Sequence, residues 1–353
     1  MNLEKMENKK IEVHVLIPST NGVINYDDKG MLKTFTFNGK KHQRISSQCQ
    51  NRAVREELNK RGFDIGKRCS GEEFYEILAN ELKLLNVSEK DIDNILNKCK
   101  KDDKKDDKKD DKKSGHLSSV YKNAKDMGYH FSKNEIKYIA EAIVNNGNKY
   151  DKKNVDDCVK KFPKSIDVIF HGRMNASNPD EDVRGAMFTS DAIAINNMII
   201  DEDFRTLVSD DKNRQGAINI GTIEQSSSVF YKHFIINCND VIANTNADEE
   251  YIKELLNWNL LKYYTAFLGN AKNNVKHSLT EPCYIAIVIS DMGYSIPFEV
   301  MVNKNTNDAI DSIHNYLEHR KSSPMENEIK FAEYSMNGLY HDDIKGFLEK
   351  ELF

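Results

Sequence analysis

The stretch "KHQRISSQCQNRAVREEL", Lys41 to Leu58, sets Gln48, Asn51, Arg52 and Arg55 at i, i+3, i+4 and i+7. That spacing puts them on one face of a helix. Amide and guanidinium groups on one face can follow a line of phosphates without reading bases. Ser47 offers an N-cap, with Gln50 three residues later as its capping-box partner. Backbone amides left free at such a helix start form an anion site. Ala53, Val54 and Leu58 face elsewhere, toward a core. Between Asn38 and Arg61 there are seven Lys or Arg against two Glu, although the whole chain carries a formal charge of -5. The positive charge is therefore local, as a phosphate-binding face requires, while the global acidity argues against nonspecific binding to nucleic acid. Charge pattern alone favours a plainer account, an amphipathic helix with a solvated basic side. Lys40, Lys41 and Arg44 widen the basic track, and a solvated hairpin explains them equally well.

Other chemistry is sparse. Asp27 and Asp28 are adjacent carboxylates that could hold Mg²⁺ with water filling the remaining positions. In "YDDKG" the same pair satisfies loop amides in a turn, and the turn is the reading adopted. No Ser-His-Asp, HExxH or Gly-rich phosphate loop occurs, and His171, His233 and His277 have no evident partners by spacing. The six cysteines are widely spaced and form no C-x-x-C pair, which points to reduced thiols rather than zinc or redox chemistry. No apolar run has membrane-spanning length and "MNLEKMENKK" lacks the apolar stretch of a signal peptide. A soluble, cytoplasmic protein without a membrane partner is expected. With 39% apolar and 30% charged residues over 353 positions, one large domain or two ordinary ones can form a real core.

The elements that would position these groups follow from pattern. "IEVHVLIP" reads as a strand, and "LKTFTFNGKKHQRIS" as two short strands around Asn38-Gly39. The basic helix should run to Lys60 or Arg61 and stop at Gly62. Helices are predicted over 72–85, 89–98, 133–145 and near 155–161. "DDKKDDKKDDKK", 102 to 113, puts like charges at i and i+4, which disfavours a helix, so it reads as a solvated linker. "SIDVIFHG" reads as a strand and residues 186–200 as helix-like. "INIGTIEQ" and "SVFYKHFIIN" read as a hairpin-like pair, 249–267 as one long helix, and "CYIAIVIS" as a buried strand. Helices at 308–320 and 341–352 close the chain. The expected class is α+β, a ferredoxin-like or RRM-like sheet domain. Its palm would be formed by residues 1–70 and 163–353. A helical insertion (fingers) would span 71–162 with a charged linker at 100–113, and a protruding thumb about 173–218. The aromatic signature of a single-strand-binding sheet face is missing.

Four stretches carry a family resemblance: "HVLIP…INYDD…K" ending in Lys33, "RISSQCQNRAVR", "SIDVIFHGRM" and "GTIEQSSSVFYKH". In this order and spacing, over 11–55 and 165–234, they resemble the backbone subunit of CRISPR Cascade complexes, the type I-E form in particular. The sequence departs from that pattern at Asn51-Arg52, where the family has Lys-Arg. It departs again at Phe204-Arg205-Thr206, where the family has an aromatic pair before Thr.

The resemblance implies a non-catalytic RNA-binding protein that polymerises along a CRISPR RNA and presents it to target DNA, with no cofactor and no metal. Its partners would be CRISPR RNA, target DNA, neighbouring copies and the other Cascade subunits. It gives RNA-binding roles to Lys33, Arg44, Ser47, Gln48, Asn51, Arg52 and Arg55. Met174 would begin the thumb and wedge between nucleotides, with Phe204 as the second wedge. For these two, a buried methionine and a small local aromatic anchor are the plainer alternatives. Lys272 and Lys276 in "AKNNVKH" would contact phosphates or simply be solvated. The alternatives of other kinds are an endoribonuclease of the same superfamily and a standalone RNA-binding protein.

Overall fold

The computed structural model describes residues 3–22, 24–106, 117, 129–162, 164–174, 182–208, 217–269, 280–325 and 327–353. β1 (Lys10–Gly22) is apolar on alternate positions because it is a central strand, paired antiparallel with a neighbour on each side. β2 (Thr34–Phe37) and β3 (Lys40–Ile45) form the expected hairpin, with Asn38 and Gly39 both at positive φ. α1 (Ser47–Lys60) follows and stops at Gly62, whose φ is +85°.

Next come β4 (Lys67–Cys69), α2 (Gly71–Leu84), α3 (Glu89–Asp106), β5 (Tyr129–Phe131), α4 (Lys133–Asn145), α5 (Lys152–Lys161) and α6 (Ile166–His171). β6 (Met187–Thr189), β7 (Ala192–Ala194), β8 (Asp201–Val208) and β9 (Ala217–Asn237) lead to α7 (Cys238–Asn244), α8 (Glu249–Leu256) and α9 (Trp258–Ala266). β10 (Tyr284–Ser290), α10 (Thr306–Arg320), β11 (Lys330–Ser335) and α11 (Ile344–Leu352) complete the chain.

The chain divides into two compact units. The first comprises Met1–Glu57, Thr189–Cys238 and Lys253–Phe353. Its sheet has the order β11-β10-β1-β9-β7-β3-β2, with β8 hairpinned onto β9. One face buries Leu16, Tyr231, Tyr284 and Val288 under Ile310, Ile313 and Leu317 of α10. On the opposite face Phe234 meets the ring of Tyr264 from α9. The second unit comprises Leu58–Phe188 and Asn239–Ile252. It buries helix faces spaced by three and four: Phe74, Leu78 and Leu82 of α2, Ile136, Ile139 and Ile143 of α4, and Val155 and Val159 of α5.

The structure is thus mixed α and β with an antiparallel sheet, and several elements differ from the sequence reading. Residues 166–171 form α6 rather than a strand. All of Ile166 to Phe170 is buried, and a run buried on every side carries no period to separate helix from strand. Residues 187–194 form two short strands instead of a helix, held by pairing with β3 and β9. "INIGTIEQ" and "SVFYKHFIIN" are one continuous 21-residue strand, β9, whose first half takes β8 as its hairpin partner and whose second half pairs with β1. The serines between them stay extended across a bulge opposite Ser19 and Gly22. The long helix at 249–267 is broken at Asn257, whose side chain caps α9 by accepting from the Leu260 amide. α3 runs on through 102–106 of the charged repeat, because like-charge pairs cost a helix only a few tenths of a kcal/mol, roughly 0.2–0.5 each. The rest of the repeat, 107–113, lies outside the described residues. β11 is a strand the pattern did not reveal.

Candidate nucleic-acid interface

The start of α1 is built differently from the expected capping box. Ser46, not Ser47, is the cap: its Oγ accepts from the Cys49 amide at 3.4 Å, and its carbonyl takes the Gln50 amide at 3.1 Å. Gln50 is buried, and its Nε2 donates to the carbonyls of Ile45 at 3.1 Å and Ser190 at 3.0 Å. Asn25 Oδ1 accepts the Ser46 amide at 3.0 Å, so a second loop is fastened to the same helix end.

The Ser47 amide is already occupied. It donates to Asp191 Oδ1 at 2.8 Å, while Arg44 Nη1 donates to Asp191 Oδ2 at 2.6 Å. The expected open anion site is therefore filled by the chain's own carboxylate. Asp191 sits at the turn before β7, and that turn is braced by a hydrogen bond between Ser190 Oγ and His233 Nδ1 at 2.7 Å. Burial pushes the His233 ring well down, to about 3, so it is neutral there. Lys33 adjoins Arg44, whose amide donates to the Lys33 carbonyl at 2.9 Å. The structure thus brings Lys33, Arg44 and Ser47 together.

Along α1, Gln48 is exposed and Asn51 and Arg55 are half-buried. Arg52 is 80% exposed and its Nε donates to Glu56 at 2.8 Å, one turn on. That hydrogen bond pushes its pKa further up. Ala53, Val54 and Leu58 are buried, as their positions predict. Asp27 does serve a turn: its Oδ1 accepts the amides of Lys29 and Met31, both at 2.9 Å. Among the described residues no group of three or more His, Cys, Asp and Glu could hold a metal ion, and no helix is long and apolar enough to cross a membrane. All six cysteines carry thiols.

Met174 belongs to the second unit and is 72% exposed. The residues leading to it are closely packed and hydrogen-bonded. Gly172 has φ +80°, and a Cβ there would meet the Val183 carbonyl oxygen at 2.6 Å. Arg173 exchanges backbone hydrogen bonds with Val183 at 3.0 and 2.8 Å, and its buried guanidinium grips both oxygens of Glu135 at 3.0 and 2.9 Å. Phe204 lies on β8 opposite Thr222 and is 63% exposed. Lys272 and Lys276 lie outside the described residues. Asp191 and Asn25 were not predicted, and Gln50 was expected only as a capping-box partner, not as the clamp on the Ile45 and Ser190 carbonyls. Ser47 and Asp191 are 144 residues apart, and nothing local to either announces the contact.

The antiparallel sheet and this helix entrance fix the class: a mixed α/β protein with a preorganised, basic helix start. Residues 11–335 match the model of the Cas family described as "CT1975-like protein". The chain belongs to the CT1975-like protein family. The fold is shared with a chain titled "CRISPR RNA-guided surveillance complex, pre-nicking", at a TM-score of 0.72 and 19% identity, covering 97% of this chain and 99% of that one. A chain of another structure, "CRISPR RNA-guided surveillance complex", gives a TM-score of 0.58 and 17% identity, covering 97% and 98%. No curated protein sequence matches the chain.

Proposed function

We propose that the chain is a non-catalytic CRISPR RNA-binding backbone subunit of a type I-E Cascade surveillance complex. The observation that carries this reading is the convergence of Lys33, Arg44 and the amide end of α1 ahead of exposed Gln48 and Arg52. Such a surface suits a phosphate backbone and has little to read bases with. Likeness along almost the whole chain to subunits of RNA-guided complexes supports it.

In this reading residues 1–70 and 163–353 form an RRM-like palm, the helical insertion at 71–162 the fingers, and a segment at about 173–218 the thumb. Copies stack head to tail along one guide, a heterologous arrangement that stays open. Exposed Met174 and Phe204 interrupt the guide's base stack. Sequence recognition passes to pairing between guide and target DNA, with the other Cascade subunits as further partners and the chemistry of cleavage left to a separate enzyme.

The test is the mass of the particle formed with a repeat-spacer guide RNA in the presence of Mg²⁺. Several chains per intact RNA are expected. A chain that stays monomeric beside the RNA contradicts assembly, and cleaved RNA would favour an endoribonuclease.

A further inference from the structure

We propose that the Asp191 carboxylate is an internal stand-in for an RNA phosphate, holding the start of α1 occupied until a guide displaces it. The inference rests on the reading of α1 as the guide-binding helix.

The two oxygens of Asp191 bridge the Ser47 amide at 2.8 Å and the Arg44 guanidinium at 2.6 Å. Two non-bridging oxygens of one phosphate would take the same pair of donors, since both are anionic acceptors for charge-assisted hydrogen bonds. Ser46 satisfies a different amide of the first turn, that of Cys49, so at this helix start Asp191 serves the Ser47 amide, a donor that any anion placed there could take over. Its position is nevertheless fixed from behind. Gln50 Nε2 holds the Ser190 carbonyl at 3.0 Å, and His233 holds the Ser190 hydroxyl at 2.7 Å. The carboxylate is also within reach of solvent, with side-chain exposures of 29% for Asp191 and 35% for Arg44. It can therefore leave without opening the core.

The consequence is a threshold. One isolated phosphate merely exchanges one anion for another at Arg44. A guide that also engages the exposed Arg52 gains contacts that Asp191 does not contest. The free subunit is thereby biased against short or scattered anions and toward a continuous backbone.

Asp191→Asn tests this, because the amide keeps an oxygen for the Ser47 amide and removes the charge facing Arg44. Fluorescence anisotropy of the full chain with a labelled single-stranded RNA, over a range of salt, is the readout. Asp191→Asn should bind about tenfold tighter, and its log–log salt slope should steepen by about one phosphate contact. If the variant binds no tighter than wild type while unfolding at the same denaturant midpoint, the inference is overturned and Asp191 positions Arg44 instead. The proposed function would then still stand. If wild type itself binds no RNA at any salt, both fall. Should Asp191→Asn fail to fold, Asp191→Ser, uncharged but still carrying an oxygen, decides the matter in the same titration.

Discussion

Removing Arg320 should destabilise the first unit by an amount that pH can switch off. Arg320 is 5% exposed and Glu12 fully buried, and the guanidinium meets both carboxylate oxygens at 2.7 and 3.0 Å. Burial alone would raise the Glu12 pKa, but hydrogen bonds from His14 and Arg320 outweigh it and hold the group at about 2 instead of 4.5. That depression corresponds to roughly 3 kcal/mol, in line with the roughly 3–5 kcal/mol lost when one partner of a buried pair is deleted. Arg320→Leu should therefore lose about 3 kcal/mol of unfolding free energy at neutral pH. The folded-state pKa lies below the unfolded one. The ionic contribution is thus complete above about pH 4.5 and is lost as the pH falls toward about 2. The gap between variant and wild type should close over that window. Trp258 is the sole tryptophan and lies in the first unit, so its fluorescence in urea reports this unit. Glu12→Gln combined with Arg320→Leu should lose less than Arg320→Leu alone, since no buried charge is stranded. A loss under about 1 kcal/mol at neutral pH, or a gap that persists into acid, would refute the reasoning.

Met174→Ala should cost the isolated chain less than about 1 kcal/mol, against roughly 2–5 for a core methionine, because most of the side chain is already in solvent. In the guide-bound assembly it should instead change the periodic reactivity of nucleotides to chemical probes, and an unchanged pattern would remove the wedge role. Gly172→Ala should destabilise the second unit by about 2 kcal/mol or more, read by thermal melting of its helical signal, because it combines a φ of +80° with a backbone collision. Wild-type melting of that variant would mean the 172–185 crossing relaxes freely.

The sequence made the local structure legible and left the long-range structure hidden. Asn38-Gly39 gave the β2–β3 hairpin, Gly62 the end of α1, and the spacing of Ala53, Val54 and Leu58 its buried side. Errors fell where distant pairing overrides local pattern. β9 is straight through its serines because β1 and β8 hold it, and α6 is a helix although its run of apolar residues fits a strand equally well. The basic residues of the site were legible as a cluster, but the state of the anion site was not. Whether Ser47 presents an open amide depends on Asp191, which only the fold brings to it. The exposure of Met174 was likewise undecidable from its type, since methionine serves cores and surfaces alike.

The central claim, that the α1 face carries guide phosphates, is tested most directly by titrating guide RNA against wild type and Arg52→Glu/Arg55→Glu over a series of salt concentrations. Arg52 is 80% exposed and its described ion pair is only with Glu56, so the fold should survive its reversal. The account predicts a collapse in affinity and a salt slope shallower by about two phosphate contacts. Unchanged affinity and an unchanged slope in a folded double variant would contradict it.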